Sequence, residues 1–223
     1  NGGSNVTLDR VVVTANAGAG LLSWGTRNLT VRNSWLVENG ANGMNFAGSA
    51  QKVAADPSVR DNLVIESSRL DRNNADSYSV NCNYACTSSG FKGAGVVGAT
   101  IRFNSFSGNS GKRASGVWFD LDSREASIYG NKVVGNARNG IVYEVSNNGI
   151  IASNLVADNG WNSAVEGGYG IMMGSANTKV YNNTITGNRQ SVHLYDDSRS
   201  PGAGSGYDSG RVGPNSVNVS FVN

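Results

Sequence analysis

Between residues 127 and 188 three ten-residue runs end alike: SIYGNKVVGN (127–136), IIASNLVADN (150–159) and KVYNNTITGN (179–188). Each has β-formers in its first half, an Asn at the fifth position and another at the tenth. The same frame extends outward to TIRFNSFSGN (100–109), VIESSRLDRN (64–73), TVRNSWLVEN (30–39) and TLDRVVVTAN (7–16). An inner column follows, holding Val11, Ser34, Ser68, Asn104, Asn131, Asn154 and Asn183. A second column, five residues later, holds Asn16, Asn39, Asn73, Asn109, Asn136, Asn159 and Asn188. Successive members lie 23 to 36 residues apart, the spacing of a solenoid repeat. A period that rises from a fixed floor means one coil per unit, with loops inserted into some turns. Neither fixed Leu spacing nor a 3.6-residue period is present, which excludes leucine-rich and helical repeats. Stacked Asn side chains hydrogen-bond from coil to coil and tolerate left-handed backbone, which accounts for both columns.

Composition agrees. The 223 residues include 30 Gly and 30 Asn but only 3 Pro, and 15% are charged. That is too few charges for a disordered chain and too few helix formers for a bundle. No apolar run nears the roughly 18 residues of a membrane span. A net charge of +2 supplies no global field to gather nucleic acid or anionic lipid. The chain starts without a secretory leader pattern, and both ends fall inside the repeat, so a piece of a longer protein is expected. No linker breaks the register, so residues 1–223 are expected to form a single domain.

The Asn-ended repeats resemble those of the pectate-lyase-like superfamily, and more narrowly the bacterial proteins built of parallel β-helix repeats. The resemblance covers residues 4 to 197. It implies an all-β, single-stranded right-handed parallel β-helix, a solenoid of about seven to eight coils, secreted or at the surface of a bacterium. That superfamily includes lyases, hydrolases, epimerases, esterases and non-catalytic adhesins, so it implies a polysaccharide ligand without naming a reaction. The polygalacturonase, pectate lyase and alginate epimerase signatures are absent.

A second strand set follows the Gly turns: LLSW (21–24), MNFAG (44–48), FKGAG (91–95), VWFDLD (117–122), IVYEVS (141–146), IMMGSA (171–176) and VHLYDD (192–197). Strand side chains alternate. Val117, Phe119 and Leu121 match Ile141, Tyr143 and Val145, then Ile171 and Met173, then Val192 and Leu194, as an inner set. The outer set is then Asn45, Lys92, Trp118, Asp120, Asp122, Val142, Glu144, Ser146, His193, Tyr195 and Asp197. One solvent face thereby gathers an amine, several carboxylates, the only His, a Trp and a Tyr. Coils stack about 4.8 Å apart, so Asp120 and Glu144 are expected with carboxyl groups roughly 5 Å apart, the separation of a retaining glycosidase pair. Asp120, Glu144, His193 and Lys92 are the candidate catalytic residues, and Trp118, Asp122, Tyr195, Asn45 and Trp161 the candidate substrate contacts. Asp120, Asp122 and Glu144 also form an oxygen set suited to Ca²⁺, a metal that pectate lyases hold on this face. No other cofactor is expected.

Loops near 49–61, 75–90, 160–169 and 198–214 border this face and would wall a groove; Trp161, Glu166 and Tyr169 lie in one of them. Cys82 and Cys86, at i and i+4 in the longest loop, suit a small disulfide ring in an exported protein, with free thiols as the alternative. GAGVVG (93–98) matches a dinucleotide fingerprint only by its letters, since a strand follows it and no helix. Asn-x-Ser/Thr triplets at Asn5, Asn28, Asn182 and Asn218 are expected by chance in so Asn-rich a chain. Three functions stay open: a glycoside hydrolase or polysaccharide lyase acting through an acidic groove, a non-catalytic glycan-binding or structural module such as a surface protein or fibre segment, and a scaffold fragment whose outward face packs on another part of a longer chain.

Overall fold

Among the described residues, each bend between strand faces holds a residue with positive φ, and those positions explain the coil. The computed structural model describes residues 3–51, 58–76, 89–111, 113–162, 167–196 and 218–222. They form an all-β parallel solenoid of about six turns, with only a 3₁₀ turn at Ser49–Gln51 as helix. About seven to eight coils were expected; the repeat marks every strand, whereas the outermost strands do not close a full turn.

Three faces wind in order. The site face stacks Leu21–Trp24, Met44–Ala47, Ser89–Ala94, Ser115–Asp120, Ile141–Asn147, Tyr169–Ala176 and Gln190–Leu194, all parallel. The second face runs from Ser4–Asp9 through Arg27–Arg32, Leu63–Glu66, Val97–Arg102, Arg124–Tyr129, Ile150–Ala152 and Lys179–Tyr181 to Ser220–Val222. A third face of three-residue strands begins at Val12–Thr14 and Trp35–Val37, narrows to Arg69, and continues through Ser105–Ser107, Lys132–Val134, Leu155–Ala157 and Thr184–Thr186.

Positive φ recurs just before each member of the inner column, at Arg10, Asn33, Ser67, Phe103, Gly130, Ser153 and Asn182. It recurs before the second column at Ala15, Glu38, Arg72, Gly108, Gly135, Asp158 and Gly187. Left-handed backbone costs a non-glycine residue roughly 1–2 kcal/mol, so something must offset it. The Asn that follows does. Asn131 Oδ1 accepts from the backbone N of Asn104 at 3.0 Å and from its Nδ2 at 3.1 Å. Asn131 Nδ2 in turn donates to the Ile101 carbonyl and to Asn154 Oδ1. The pattern repeats from Asn154 to Asn183, and Ser34 and Ser68 continue it with their hydroxyls. In the second column Asn16, Asn39, Asn73, Asn109, Asn136, Asn159 and Asn188 form one unbroken chain of side-chain hydrogen bonds.

The fold holds a third column that the two Asn columns of the repeat do not include. Asn5, Asn28, Asn62, Glu125, Asn148, Asn177 and Asn218 all take positive φ where the chain enters the second face. Asn28 bonds Asn5, Asn62 bonds Asn28, and Asn218 bonds Asn177. Asn accepts this backbone region more readily than most residues. The four Asn-x-Ser/Thr triplets therefore sit at bends, and backbone geometry rather than chance selects their Asn.

Inside, Phe46, Phe91, Phe119 and Tyr143 are fully buried on the site-face wall. Phe91 meets Phe119 at 5.1 Å in a tilted contact, and Phe119 meets Tyr143 edge-on at 5.9 Å. Burial pushes the Tyr143 hydroxyl up from its ordinary pKa, and that hydroxyl donates to the Asn147 carbonyl. Asp61, fully buried, accepts from the backbone N of Val97 and of Ser49; burial still raises its carboxyl pKa. Alternation stops earlier than expected. Leu121, Asp122 and Val145 have positive φ, so they belong to bends and not to the in-and-out pattern.

Asn131→Leu should remove bonds in both directions along the buried column. The orphaned groups cost about 1–3 kcal/mol each, so the urea midpoint should drop sharply. Asn28→Gly, which keeps the left-handed angle at an exposed bend, should change it little. Equal effects of the two substitutions would contradict the buried column as the main stabiliser.

Candidate functional site

Strand register decides which outward side chains meet. Asn45, Lys92, Trp118 and Val142 form one column on successive coils, and Met172 and His193 continue it. Beside it, Asp120 and Glu144 directly follow the paired residues Phe119 and Tyr143, so they too sit on neighbouring coils. The column continues with Gly174, paired with Glu144, and with Tyr195.

The center of this face is not the open acidic surface the alternation suggested. Lys92, Trp118, Asp120 and Glu144 are only 5, 4, 6 and 7% exposed. Lys92 Nζ donates to Asp120 Oδ2 at 2.8 Å and lies 3.5 Å from the Trp118 ring centroid, a cation–π contact strengthened by desolvation. The other Asp120 oxygen accepts from the Leu121 backbone N. Trp118 Nε1 donates to Glu144 Oε1 at 2.8 Å, and the Tyr195 hydroxyl donates to Glu144 Oε2. Both carboxylates therefore act as acceptors, each toward its own donors.

Tyr195 reaches Glu144 by lying flat across the intervening coil. A Cβ on Gly174 would come within 2.9 Å of the Tyr195 ring, so glycine at that outward position makes room for the aromatic. His193 completes an aromatic stack, 4.4 Å from Tyr169 and 5.3 Å from Tyr195. Its Nδ1 is buried and has no hydrogen-bond partner among the described residues. His193, Tyr195, Tyr169, Met172 and Asn45 are half-buried, so they form the accessible rim around a buried floor. The register shift at Val145 bends the strand beside Glu144, a device common near functional sites.

The remaining candidates separate. Asp122 is buried in a bend, with Arg124 Nε 3.9 Å from its Oδ1. Ser146 is buried and donates to the Glu144 carbonyl. Trp161 is 59% exposed and donates to the Gly135 carbonyl at the bend off the third face. Asp197, Glu166, the Cys82–Cys86 pair and most of the inserted loops lie outside the described residues. Among the described residues, no group of three or more His, Cys, Asp or Glu is gathered as a metal would need. Asp120, Asp122 and Glu144 are instead each turned to a separate partner. The Gly174 notch and the Tyr169 stack were the parts that sequence reasoning missed; a Gly at an outward strand position was the available signal.

Residues 2–204 match the family model described as periplasmic copper-binding protein (NosD). A comparison with curated proteins finds no match. Among solved structures, the chain is similar to the A-module of the Azotobacter vinelandii mannuronan C-5 epimerase AlgE4, with a TM-score of 0.58 and 16% identity over 96% of this chain. It is also similar to a mutant of the periplasmic alginate epimerase AlgG, with a TM-score of 0.56 and 18% identity over 92% of this chain. The AlgE6 A-module from A. vinelandii gives a TM-score of 0.54 and 17% identity over 98% of this chain. At these identities the likeness is one of fold. The chain spans 57, 47 and 58% of the three structures, respectively.

Lys92→Met should leave the Asp120 carboxylate buried without its ammonium, a loss of about 3–5 kcal/mol visible in urea unfolding. Adding Asp120→Asn should recover much of it. If Lys92→Met alone unfolds like the parent, the pair does not hold the floor together.

Proposed function

The chain belongs to the family of periplasmic copper-binding proteins (NosD), and from that premise we propose that it is a periplasmic or extracellular protein that acts on an acidic polysaccharide by proton transfer at a sugar carbon. The observation that carries this reading is the Tyr195 hydroxyl held on Glu144, with the half-buried His193 ring stacked against Tyr195. The structures named as mannuronan and alginate epimerases support the choice of a uronate polymer.

In this reading His193 takes the proton on the carbon next to the uronate carboxylate. The electron pair moves into the carboxylate as an enediolate. Tyr195 then supplies a proton. Delivered to the same carbon, it inverts the center; delivered to the bridging oxygen as the glycosidic bond breaks, it gives an unsaturated end. Glu144 positions Tyr195, while Trp118, Lys92 and Asp120 form the floor that fixes Glu144. General acid–base groups of this kind contribute about 10²–10⁴-fold. The hydrolase reading has less support, because neither Asp120 nor Glu144 is left as an open carboxyl. A non-catalytic glycan-binding role is favored only by the burial of that floor.

Copper does not fit the described residues. The sequence has one His, two Cys and three Met, and Met44 and Met173 are sealed in the core. Among the described residues, only Met172 and His193, paired in register, bring two such donors to one face. No step is routed through copper.

A panel of acidic and neutral polysaccharides, assayed for reducing ends and for absorbance of unsaturated products, tests the reading. Tyr195→Phe and Glu144→Gln should each lower turnover by at least about 10²-fold while the fold survives. Full activity in both variants on a substrate the parent converts would overturn it. Glycan binding without conversion by the parent would favor the binding module.

A further inference from the structure

Outside the site face, three arginines of the solenoid are answered by a carboxylate on the next coil. Arg32 meets Asp9, Arg72 meets Glu38, and Arg102 meets Glu66. The third face breaks this pattern. Arg69 gives Nε to Asp71 at 2.9 Å, and Asp71, almost fully buried, also accepts from Ser105 Oγ and the Ser107 backbone N. The terminal Nη atoms of Arg69 have no protein partner among the described residues, and the side chain is 44% exposed. Its guanidinium lies 5.3 Å from the ring centroid of Trp35, itself 48% exposed. A buried acid thus fixes the stem of Arg69 and leaves its fork facing solvent above an open indole.

Register extends the feature. Trp35 pairs with Arg69, Arg69 with Ser105, and Ser105 with Lys132, so the four share one outward column. Lys132 is exposed and forms no ion pair among the described residues. The open Nη edge of Arg69 and the exposed Lys132 ammonium therefore sit two coils apart, roughly 10 Å, with a hydroxyl between them and an aromatic at one end. An exposed Trp face suits a sugar ring, and a free guanidinium fork suits a carboxylate.

We propose that the Trp35–Arg69–Ser105–Lys132 strip is a second, non-catalytic binding site for an acidic polysaccharide, distinct from the site face. It rests on the reading above only for the choice of a uronate polymer. Trp35 stacks a ring, Arg69 takes one carboxylate in a forked contact, and Lys132 takes a carboxylate further along the chain. The strip would hold the polymer while the site face works on another segment.

The test is titration calorimetry of the full chain with polymannuronate, with neutral dextran and a single-stranded oligonucleotide as comparison ligands. Lys132→Gln and Trp35→Ala touch no buried acid and should each weaken polymannuronate binding by about threefold. Arg69→Gln combined with Lys132→Gln should weaken it by at least about tenfold, with dextran unaffected. Unchanged affinity in all these variants would overturn the strip, while loss of turnover in Tyr195→Phe would separately uphold the site-face reading. Equally strong oligonucleotide binding, lost in the same variants, would overturn the polysaccharide assignment. No polymannuronate binding by the parent would overturn both readings together.

Discussion

The hydrogen bond from one Asn side chain to the backbone N of the next Asn is the interaction on which the rest of this structure depends. Each bend puts a residue into left-handed backbone, an arrangement that only repeated compensation makes tolerable. The Asn columns provide it by satisfying a buried backbone N–H at every coil, as from Asn104 to Asn131 and onward to Asn183. Because the bends recur in register, the strands between them stack in register too. Position on one coil then fixes position on the next.

That constraint builds a site from residues far apart in sequence. Glu144 and Tyr195 are separated by 51 residues and are joined by a direct hydrogen bond. Lys92 and Asp120, 28 apart, form a buried ion pair. No short motif encodes these contacts. Stacking does, and each coil can change one rung without disturbing the others. The same logic builds the third-face strip, where Asp71, two residues along the same run, orients Arg69.

Much of the fold was legible because its signals repeat. The Asn at positions 104, 131, 154 and 183 share one local context, and any one of them confirms the others. The column at Asn5, Asn28 and Asn62 escaped notice because it lies ahead of the strand runs and is interrupted by Gly98 and Glu125. Alternation correctly placed Lys92, Trp118, Asp120 and Glu144 on one face. It could not show that they are buried, since burial depends on what covers a face and not on which way a strand side chain points. Leu121 and Val145 read as inner strand residues because apolar character does not report φ. The Tyr195 contact needed the absence of a side chain at Gly174, a signal with no periodicity.

The central claim is that the Glu144–Tyr195–His193 group moves a proton at a sugar carbon. Incubation of polymannuronate with the protein in D₂O, followed by NMR of the polymer, tests it most directly. The account predicts deuterium at the carbon beside the carboxylate or unsaturated ends, abolished by His193→Ala. Hydrolysed polymer with neither deuterium at that carbon nor unsaturated ends would contradict it.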